Sequence, residues 1–240
     1  MEKNFKNNMK NLLNKIDIDI SEEQISKFQN YMNLLLEWND KINLTAITEE
    51  NDIILKHFVD CLTIQKYIKE NCKVVDIGTG AGFPGIPLAI MNEKAQFTLV
   101  DSLNKRINFL NDVKLKINLN NVETMHSRAE EFGQNKLYRE KFDIAVSRAV
   151  ANLCVLAEYL LPAVRVGGKV VCMKGSQVDD EIIDAKFAVE KLGGKISLLD
   201  EFCLPDSDMR RNVIVIDKIR PTPKQYPRKA GMPAKQPLKL

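Results

Sequence analysis

The chain has 240 residues, of which 45% are hydrophobic and 28% charged, a balance typical of an ordinary globular protein. No uncharged apolar run reaches 18 residues and the start, MEKNFKNNMK, is polar, so we expect a cytoplasmic protein without membrane span or signal peptide. Five scattered cysteines without a C-x-x-C pair, and only two histidines, predict neither disulfides nor a metal site.

The positive charge is concentrated at one end of the sequence. The net charge is +3, yet residues 218–240 hold seven Lys or Arg and no acid, which leaves the first 217 residues at −4. A basic end on a mildly acidic body suggests an anionic partner that meets this end. A solvated tail that only improves solubility explains the charge equally well, and composition does not separate the two.

The first part of the chain is predicted to be helical. Ser21-Glu-Glu-Gln24 reads as a capping box, and apolar residues then recur every three or four positions as far as Ile42. Thr48 could cap a second helix, which extends to about Ile64. We therefore predict that residues 1–70 form an N-terminal helical extension packed on the core.

From residue 71 the pattern changes to short β-branched runs that alternate with helical stretches, which predicts a doubly wound parallel α/β sheet. Two further β runs follow with only six residues between them, so they should pair as an antiparallel hairpin at the sheet edge. The sum is a seven-stranded, mostly parallel sheet over residues 71–219, followed by a Pro-rich, irregular basic tail over 220–240. The predicted strands are Lys73–Gly78, Gln96–Asp101, Val122–His126, Phe142–Ser147, Gly168–Met173, Lys195–Leu204 and Arg211–Ile219.

A glycine-rich loop, DIGTGAGFPGIP at residues 76–87, follows the first predicted strand, where open α/β sheets bind ligands. It fits G-x-G-x-x-G from Gly80, the dinucleotide fingerprint, and D-x-G-x-G-x-G from Asp76, the pattern of S-adenosylmethionine (SAM) binders. A pyrophosphate needs several free N–H groups, and Pro84 and Pro87 each remove one. Since SAM has no phosphate, we favour SAM over a nucleotide.

Acidic residues follow the first strands in the way a SAM site requires. Asp76 ends the first strand, where it could meet the ammonium of the ligand, and Asp101 ends the second, where it could meet a ribose. Asp101 alone would serve NAD equally well. A third cluster at residues 127–131, SRAEE, lies where an adenine edge would be recognised.

Several more specific motifs extend from residue 38 to the C-terminus. They are WNDKINLT (38–45), HFVD (57–60), DIGTGAGFPGIPLAI (76–90), VDS (100–102), RAEE (128–131), SRA (147–149), KG (174–175) and YPRKAGMPAKQPL (226–238). Together they resemble those of the bacterial small-subunit ribosomal RNA guanine-N7 methyltransferases, also called glucose-inhibited division protein B. One departure is Cys61, where this family usually has serine.

The resemblance implies a class I SAM-dependent methyltransferase that transfers the methyl group of SAM to N7 of one guanine in 16S ribosomal RNA. Phe83 could instead be core packing of the loop, and Arg148 could instead form a structural salt bridge. Combined with the loop pattern, the resemblance predicts cofactor contacts at Gly78, Gly80, Phe83, Asp101, Ala129, Glu130 and Arg148.

N7 of guanine is unprotonated at neutral pH, so the reaction needs no general base and we assign no catalytic residue. We expect a monomer whose partner is small-subunit ribosomal RNA, either alone or within the 30S particle or its precursor. A SAM-dependent methyltransferase acting on another RNA, a protein or a small molecule is the alternative. The candidate RNA contacts are Asn39, Asn43, Lys174, Arg210, Arg211, Arg228 and Lys229.

Overall fold

Seven strands form one sheet in the computed structural model, which describes residues 2–148 and 151–239. The strands are β1 Lys73–Ile77, β2 Gln96–Asp101, β3 Val122–His126, β4 Phe142–Arg148, β5 Val164–Lys174, β6 Gly194–Cys203 and β7 Arg210–Lys218. Their order is β3-β2-β1-β4-β5-β7-β6, with β7 antiparallel to both of its neighbours and the remaining pairs parallel. The predicted fold class, a doubly wound sheet with a closing hairpin, is confirmed.

Helices cover both faces of this sheet. They are α1 Glu2–Asn14, α2 Glu22–Ile42, α3 Glu50–Ile53, α4 Asp60–Leu62, α5 Gly85–Met91, α6 Asn104–Lys116, α7 Ala129–Gln134, α8 Leu153–Leu160, α9 Asp179–Lys191 and α10 Met232–Lys235. Short 3-10 turns lie at Gln65–Tyr67 and Leu161–Ala163. Within the described ranges, no helix combines the length and the apolar character needed to cross a bilayer.

Local sequence signals explain where α2 begins and ends. The Ser21 hydroxyl accepts from the Gln24 amide at 3.2 Å, and the Gln24 side chain accepts from the Ser21 amide at 2.9 Å, so the predicted capping box is present. Asn43 ends the helix in the left-handed conformation, with φ of 50°. Its exposed side chain lies just beyond the last turn.

The second predicted helix is not a regular one. α3 and α4 are joined by a π-helical turn at Ile54–Val59, so the segment is continuous but wider in the middle. A π-helical turn contains one more residue than an α-helical turn but uses the same residue types. The apolar spacing in the sequence therefore does not reveal it. π-helical turns often lie at functional sites, and this one carries His57.

Apolar packing on the two faces of the sheet fixes the position of the N-terminal helices. The residues of β1 and β2 are buried after the first, as expected for parallel strands covered on both sides. One face packs against α1, α2, α5 and α6, and the other against α8 and α9. The N-terminal helices therefore share one continuous core with the sheet.

Residues 219–239 run across the surface of the sheet domain in turns and include the short helix α10. Thr222, Tyr226 and Pro233 are nevertheless buried. This segment, which we call the tail, is therefore packed against the domain along its length.

Candidate active site

A cavity of 650 Å³ opens at the carboxyl ends of the parallel strands, beside the switch point between β1 and β4. We call it the cofactor cavity. Its walls come from the loop after β1, the ends of β2 and β4, the turn after β3, and both ends of the chain. All of the predicted cofactor residues lie in its lining: Gly78, Gly80, Phe83, Asp101, Ala129, Glu130 and Arg148.

Two glycines of the loop have different structural roles. Gly80 has a φ of +62°, and a Cβ added there would meet no atom within 4 Å, so this backbone faces open space beside the cavity. A Cβ on Gly85 would collide with Leu99 and approach Asp76, so Gly85 allows α5 to pack closely on the sheet. The first glycine thus exposes main chain to a ligand, and the second brings a helix onto the sheet.

Asp76 shapes the loop from beneath. It is 1% exposed, and its Oδ2 accepts from the Thr79 hydroxyl at 2.8 Å and from the Gly85 amide at 2.9 Å. Burial raises the pKa of this carboxyl to about 7, although both hydrogen bonds act in the opposite direction. Since Asp76 is not part of the cavity lining, we assign it to fixing the turn.

Asp101 is the carboxylate that faces the cofactor cavity. Its Oδ2 accepts from the Gly80 amide at 2.9 Å and from Arg106 Nη1 at 3.2 Å, while Oδ1 accepts from the Leu103 amide at 2.9 Å. The side chain of Asp101 is 2% exposed, whereas that of Arg106 is 36% exposed. A buried acceptor therefore lies behind a partly exposed cation, and a ligand hydroxyl pair can bind the carboxylate if Arg106 moves aside.

Arg148 forms the far wall of the cavity, at the end of β4. Its Nη1 donates to the Lys56 carbonyl at 3.0 Å and to Asp60 Oδ2 at 3.2 Å, and its Nη2 donates to His57 Nδ1 at 3.1 Å. The guanidinium carbon lies 4.7 Å from the centroid of the Phe83 ring. These contacts hold the cation in one orientation, so Arg148 borders the cavity and also forms a structural salt bridge with Asp60.

His57 is a neutral positioning group in this wall. Burial, followed by the neighbouring Arg148 charge, lowers its pKa to about 3. Because Nδ1 accepts from Arg148, the proton is assigned to Nε2, which donates to Thr45 Oγ1 at 2.9 Å. The ring stacks on Phe83 at a centroid distance of 4.3 Å.

The helix α2 fastens the glycine loop. Tyr31 is fully buried, and its hydroxyl donates to the Ala81 carbonyl at 2.5 Å. Its ring lies 5.5 Å from that of Phe58 and 5.6 Å from that of Phe83, measured between centroids. Phe83 is 7% exposed, so it belongs both to the cavity lining and to the aromatic core.

The tail supplies a wall that composition alone did not predict. Gly231 and Ala234 line the cofactor cavity, and the Gly231 amide donates to Glu130 Oε1 at 2.7 Å. Glu130, predicted as an adenine contact, is thus bonded to the tail. The motif YPRKAGMPAKQPL was the signal in the sequence for a packed tail, because a tail that only improves solubility does not need so specific a pattern.

Buried polar groups hold the tail in place. Arg228 Nη2 lies 2.6 Å from Glu158 Oε2, and the side chain of Glu158 is only 1% exposed. Arg139 donates to the carbonyls of Thr222 and Tyr226 at 2.8 and 2.6 Å. We call the Arg228–Glu158 pair the tail latch.

The candidate RNA residues fall into two groups. Asn39, on the last turns of α2, is used internally, since its Oδ1 accepts from the amides of Leu44 and Thr45 at 2.7 and 2.8 Å. Asn43 is exposed where α2 ends. The structure thus gives Asn39 a clear local role and leaves Asn43 open to solvent.

Among the basic candidates, Lys174 and Arg228 are engaged within the protein. Lys174 Nζ lies 2.5 Å from Glu181 Oε1 and its side chain is 9% exposed, and Arg228 belongs to the tail latch. Arg211 donates through Nε to Asp60 Oδ1 at 3.1 Å. Arg210 and Lys229 are exposed residues.

The residues present fit the cofactor that the loop pattern predicts. The cavity exposes bare main chain at Gly80, a buried carboxylate at Asp101 and an aromatic face at Phe83. Its volume lies within the range of about 300–1,000 Å³ typical of ligand sites. Main chain, carboxylate and ring suit the amino-acid head, ribose and base of SAM.

A comparison with protein families agrees with this geometry. The model of the family described as rRNA small subunit methyltransferase G matches residues 24–209. The chain belongs to this family. The predicted family and enzyme class, a SAM-dependent methyltransferase, are therefore confirmed.

Curated relatives match over nearly the whole chain. The protein named Ribosomal RNA small subunit methyltransferase G of Clostridium perfringens is 50% identical over 233 residues, which cover 96% of this chain and 98% of the relative. The protein of the same name from Clostridium novyi is 52% identical over 225 residues, which cover 93% of each.

Solved structures of low identity share the fold. A SAM dependent methyltransferase from Aquifex aeolicus superimposes with a TM-score of 0.52 at 19% identity, covering 68% of this chain and 92% of that one. M. jannaschii TYW2 in complex with AdoMet gives 0.51 at 18%, covering 65% and 73%. At this identity the match supports the sheet architecture alone.

Proposed function

We propose that this protein transfers the methyl group of SAM to N7 of one guanine in 16S ribosomal RNA. The observation that carries the proposal is the cofactor cavity, lined by all the predicted cofactor residues in a chain of this family. Curated relatives of about half-identical sequence are named as small-subunit ribosomal RNA methyltransferases. The methylation of another RNA, a protein or a small molecule is the alternative that the experiment below must exclude.

Each wall of the cavity has a role in holding the cofactor. Bound SAM supplies an electrophilic methyl group on a sulfonium, which needs no activation by the protein. Asp101 would accept hydrogen bonds from the ribose hydroxyls, and the Gly80 main chain would allow close approach. Glu130 and Gly231, bonded to each other, close the side where Ala129 lies.

The acceptor reaction requires alignment rather than proton transfer. The N7 lone pair forms the new bond to the methyl carbon while the carbon–sulfur bond breaks and its electron pair stays on sulfur. The base becomes a cation and no proton moves. Alignment of two reactants can lower the barrier by about 7–11 kcal/mol. A general base typically speeds a reaction roughly 10²–10⁴-fold, which corresponds to only about 3–5 kcal/mol. His57, neutral and bonded at both nitrogens, fits a positioning role.

The tail and the neighbouring hairpin provide the charge for RNA binding. Lys224, Lys229, Lys235 and Arg210 are exposed, and none forms an ion pair within the described residues. N7 lies on the major-groove edge, which is deep and narrow in duplex RNA, so a loop or bulge is the expected target. We propose that these cations contact its phosphates.

In this proposal, each of the three segments of the chain contributes residues to a single site. Residues 1–70 contribute Thr45 and His57, residues 71–219 contribute the loop and strand ends, and residues 220–240 contribute Gly231. We propose that a single chain is active as a monomer, since each wall comes from that chain. Light scattering of the active fraction measures this directly.

Methyl transfer from radiolabelled SAM tests the substrate. The protein is incubated with deproteinised 16S ribosomal RNA, with 30S particles and with a lysate lacking RNA, and the labelled nucleotide is mapped by mass spectrometry. We expect 7-methylguanosine at one position in the RNA or the particle. Label in protein, in a small molecule or at another base atom would exclude the proposed reaction.

A pair of glycine variants tests the cofactor site. Gly80→Val places a branched side chain beside the cavity, so we expect SAM binding by calorimetry to be lost. Gly167→Val is the control, because Gly167 also has a positive φ, of 84°, but lies outside the cavity lining. Equal SAM affinity in the two folded variants would contradict the proposed loop contact.

A further inference from the structure

A second cavity, of 350 Å³, adjoins the cofactor cavity and shares His57 and Arg148 with it. It lies at the ends of β4 and β5 and the start of β7, on the same edge of the sheet. Most of its surface is apolar, with Ile47 and Met173 among its walls, although Lys56 and Lys174 also line it. Its volume falls in the lower part of the range of about 300–1,000 Å³ for ligand pockets.

A buried ion triad forms the polar side of this cavity. Asp60, which is 4% exposed, lies between Arg148 Nη1 at 3.2 Å and Arg211 Nε at 3.1 Å. Burial raises the pKa of this carboxyl, and the charges of both arginines oppose that shift. The carboxylate thereby fixes two guanidinium groups side by side, one of which also borders the cofactor cavity.

Both guanidinium groups carry N–H donors that the ion pairs with Asp60 do not use. An arginine carries five N–H groups. Within the described residues, Arg211 donates through Nε and Nη1, to Asp60 and to the Arg210 carbonyl, which leaves Nη2 available. A cavity with a largely apolar surface and unused guanidinium donors suits a planar ring that carries a carbonyl acceptor.

We propose that the second cavity is the acceptor pocket, in which the guanine base lies between its apolar walls and its O6 accepts from Arg211. This inference rests on the proposed function. O6 and N7 are neighbours on the same edge of guanine, so a donor on O6 leaves N7 beside it, toward the shared wall. A phosphate group would fit less well, because most of the cavity surface is apolar and the lysines that line it, Lys56 and Lys174, are already paired with Asp52 and Glu181.

Asp60 is a positioning residue in this scheme. It acts through its two ion pairs, which hold Arg211 toward the base and Arg148 toward the cofactor cavity. Asp60→Asn should therefore lower the single-turnover rate more than it lowers the affinity for SAM. A merely structural role would lower both together with the stability.

Filling the cavity tests the pocket without touching the cofactor cavity. A Cβ on Gly175 would meet no atom within 4 Å, so Gly175→Phe can be accommodated with its ring in the pocket. The matched control is Ser176→Phe, at the exposed neighbour that lines neither cavity. We expect Gly175→Phe to bind SAM normally and to transfer methyl at least about 100-fold more slowly, the cost of misplacing a reacting atom by about 1 Å.

RNA containing 2-aminopurine at the mapped guanine tests the O6 contact independently of that variant. This base retains N7 and lacks O6, so the wild type should methylate it at least about tenfold more slowly, the effect of losing a hydrogen bond to a charged donor. Arg211→Met should slow transfer to guanine but cause no further loss with 2-aminopurine.

The possible outcomes separate this inference from the function on which it rests. If the wild type modifies the guanine and Gly175→Phe does so at the rate of Ser176→Phe, the pocket is elsewhere and the proposed function stands. Equal wild-type rates on guanine and 2-aminopurine would overturn the O6 contact even if Gly175→Phe failed to fold. A wild type that modifies no guanine in 16S ribosomal RNA would overturn the function itself.

Discussion

Residues 2–68 and residues 219–239 both wall the cofactor cavity, but different forces hold these two ends of the chain. The N-terminal helices contribute fully buried aromatic residues to the core, with Phe28, Tyr31 and Phe58 at 0% exposure. The tail buries Tyr226 and Pro233, and it is also held by polar groups, namely the tail latch, the Arg139 hydrogen bonds and Glu130.

This difference predicts which property, global stability or cofactor affinity, a substitution in each wall should lower. Removing an aromatic ring from the N-terminal core leaves a void in packing that the whole sheet shares, so the loss should appear in global stability. Removing one charge from the tail latch leaves the core intact, so the loss should be local and should appear in cofactor affinity. The predictions below test this division.

Phe58→Ala should have the largest effect. Deleting a fully buried aromatic ring costs about 3–5 kcal/mol of the free energy of unfolding, measured by urea denaturation. Leu137→Ala is the control, since Leu137 is 75% exposed and its removal should change stability by less than about 0.5 kcal/mol. A similar small change for both variants would mean that the N-terminal helices are not part of the cooperative core.

Glu158→Gln should release the tail without unfolding the domain. Replacing the buried carboxylate removes the charge from the latch, and we expect a local loss of about 1–3 kcal/mol. Limited proteolysis should then cleave near Arg228, and SAM affinity should fall. Asp184→Asn breaks the exposed pair with Lys239 and should change neither measurement. Parallel losses of global stability and SAM affinity would contradict a local latch.

Tyr31→Phe isolates the one hydroxyl by which α2 holds the glycine loop. The ring and its packing remain, but the Ala81 carbonyl loses its donor, which should cost about 1 kcal/mol. SAM affinity should fall several-fold because the loop is less fixed. Phe28→Leu provides the contrast, as it perturbs the same aromatic core without touching the loop; its SAM affinity should change less for an equal loss of stability.

The N-terminal wall should also respond to acid through His57. Its folded pKa, about 3, lies below its usual value of 6.5, so the neutral ring contributes stability that is present above pH 6.5 and is lost as the pH falls toward 3. The effect is small near neutral pH and grows below it. In His57→Gln, the free energy of unfolding should differ less between pH 7 and pH 5 than it does in the wild type. NMR should find the wild-type ring neutral at pH 5. A ring protonated at pH 5 would contradict the assignment.

The smallest change should come from single surface lysines of the tail. Lys229→Gln and Lys235→Gln should each weaken RNA binding and reduce the slope of log affinity against log salt by about 0.7–0.9, the value for one phosphate contact. SAM affinity should remain unchanged, because neither side chain lines the cofactor cavity. Lys94→Gln, just before β2 at the amino ends of the parallel strands, is the control and should leave the slope as it is.

Local pattern was sufficient for the sheet, the glycine loop and the strand-end residues of the cofactor cavity. β-branched runs, capping residues and glycines act over a few neighbouring positions, so Gly80 and Asp101 can be placed from strand ends alone. The family motifs added Arg148, whose position at the end of β4 no spacing rule would have singled out.

The sequence by itself determined that this is a doubly wound sheet with a cofactor loop and a basic end. Only the tertiary structure decided that Arg228 and Lys174 are paired with buried or half-buried acids, that His57 is neutral beside Arg148, and that the tail closes the cavity. The reason is physical. A charged residue looks the same in sequence whether it faces water or a partner 70 positions away, and burial, which sets its partner and its pKa, arises only when distant segments pack together.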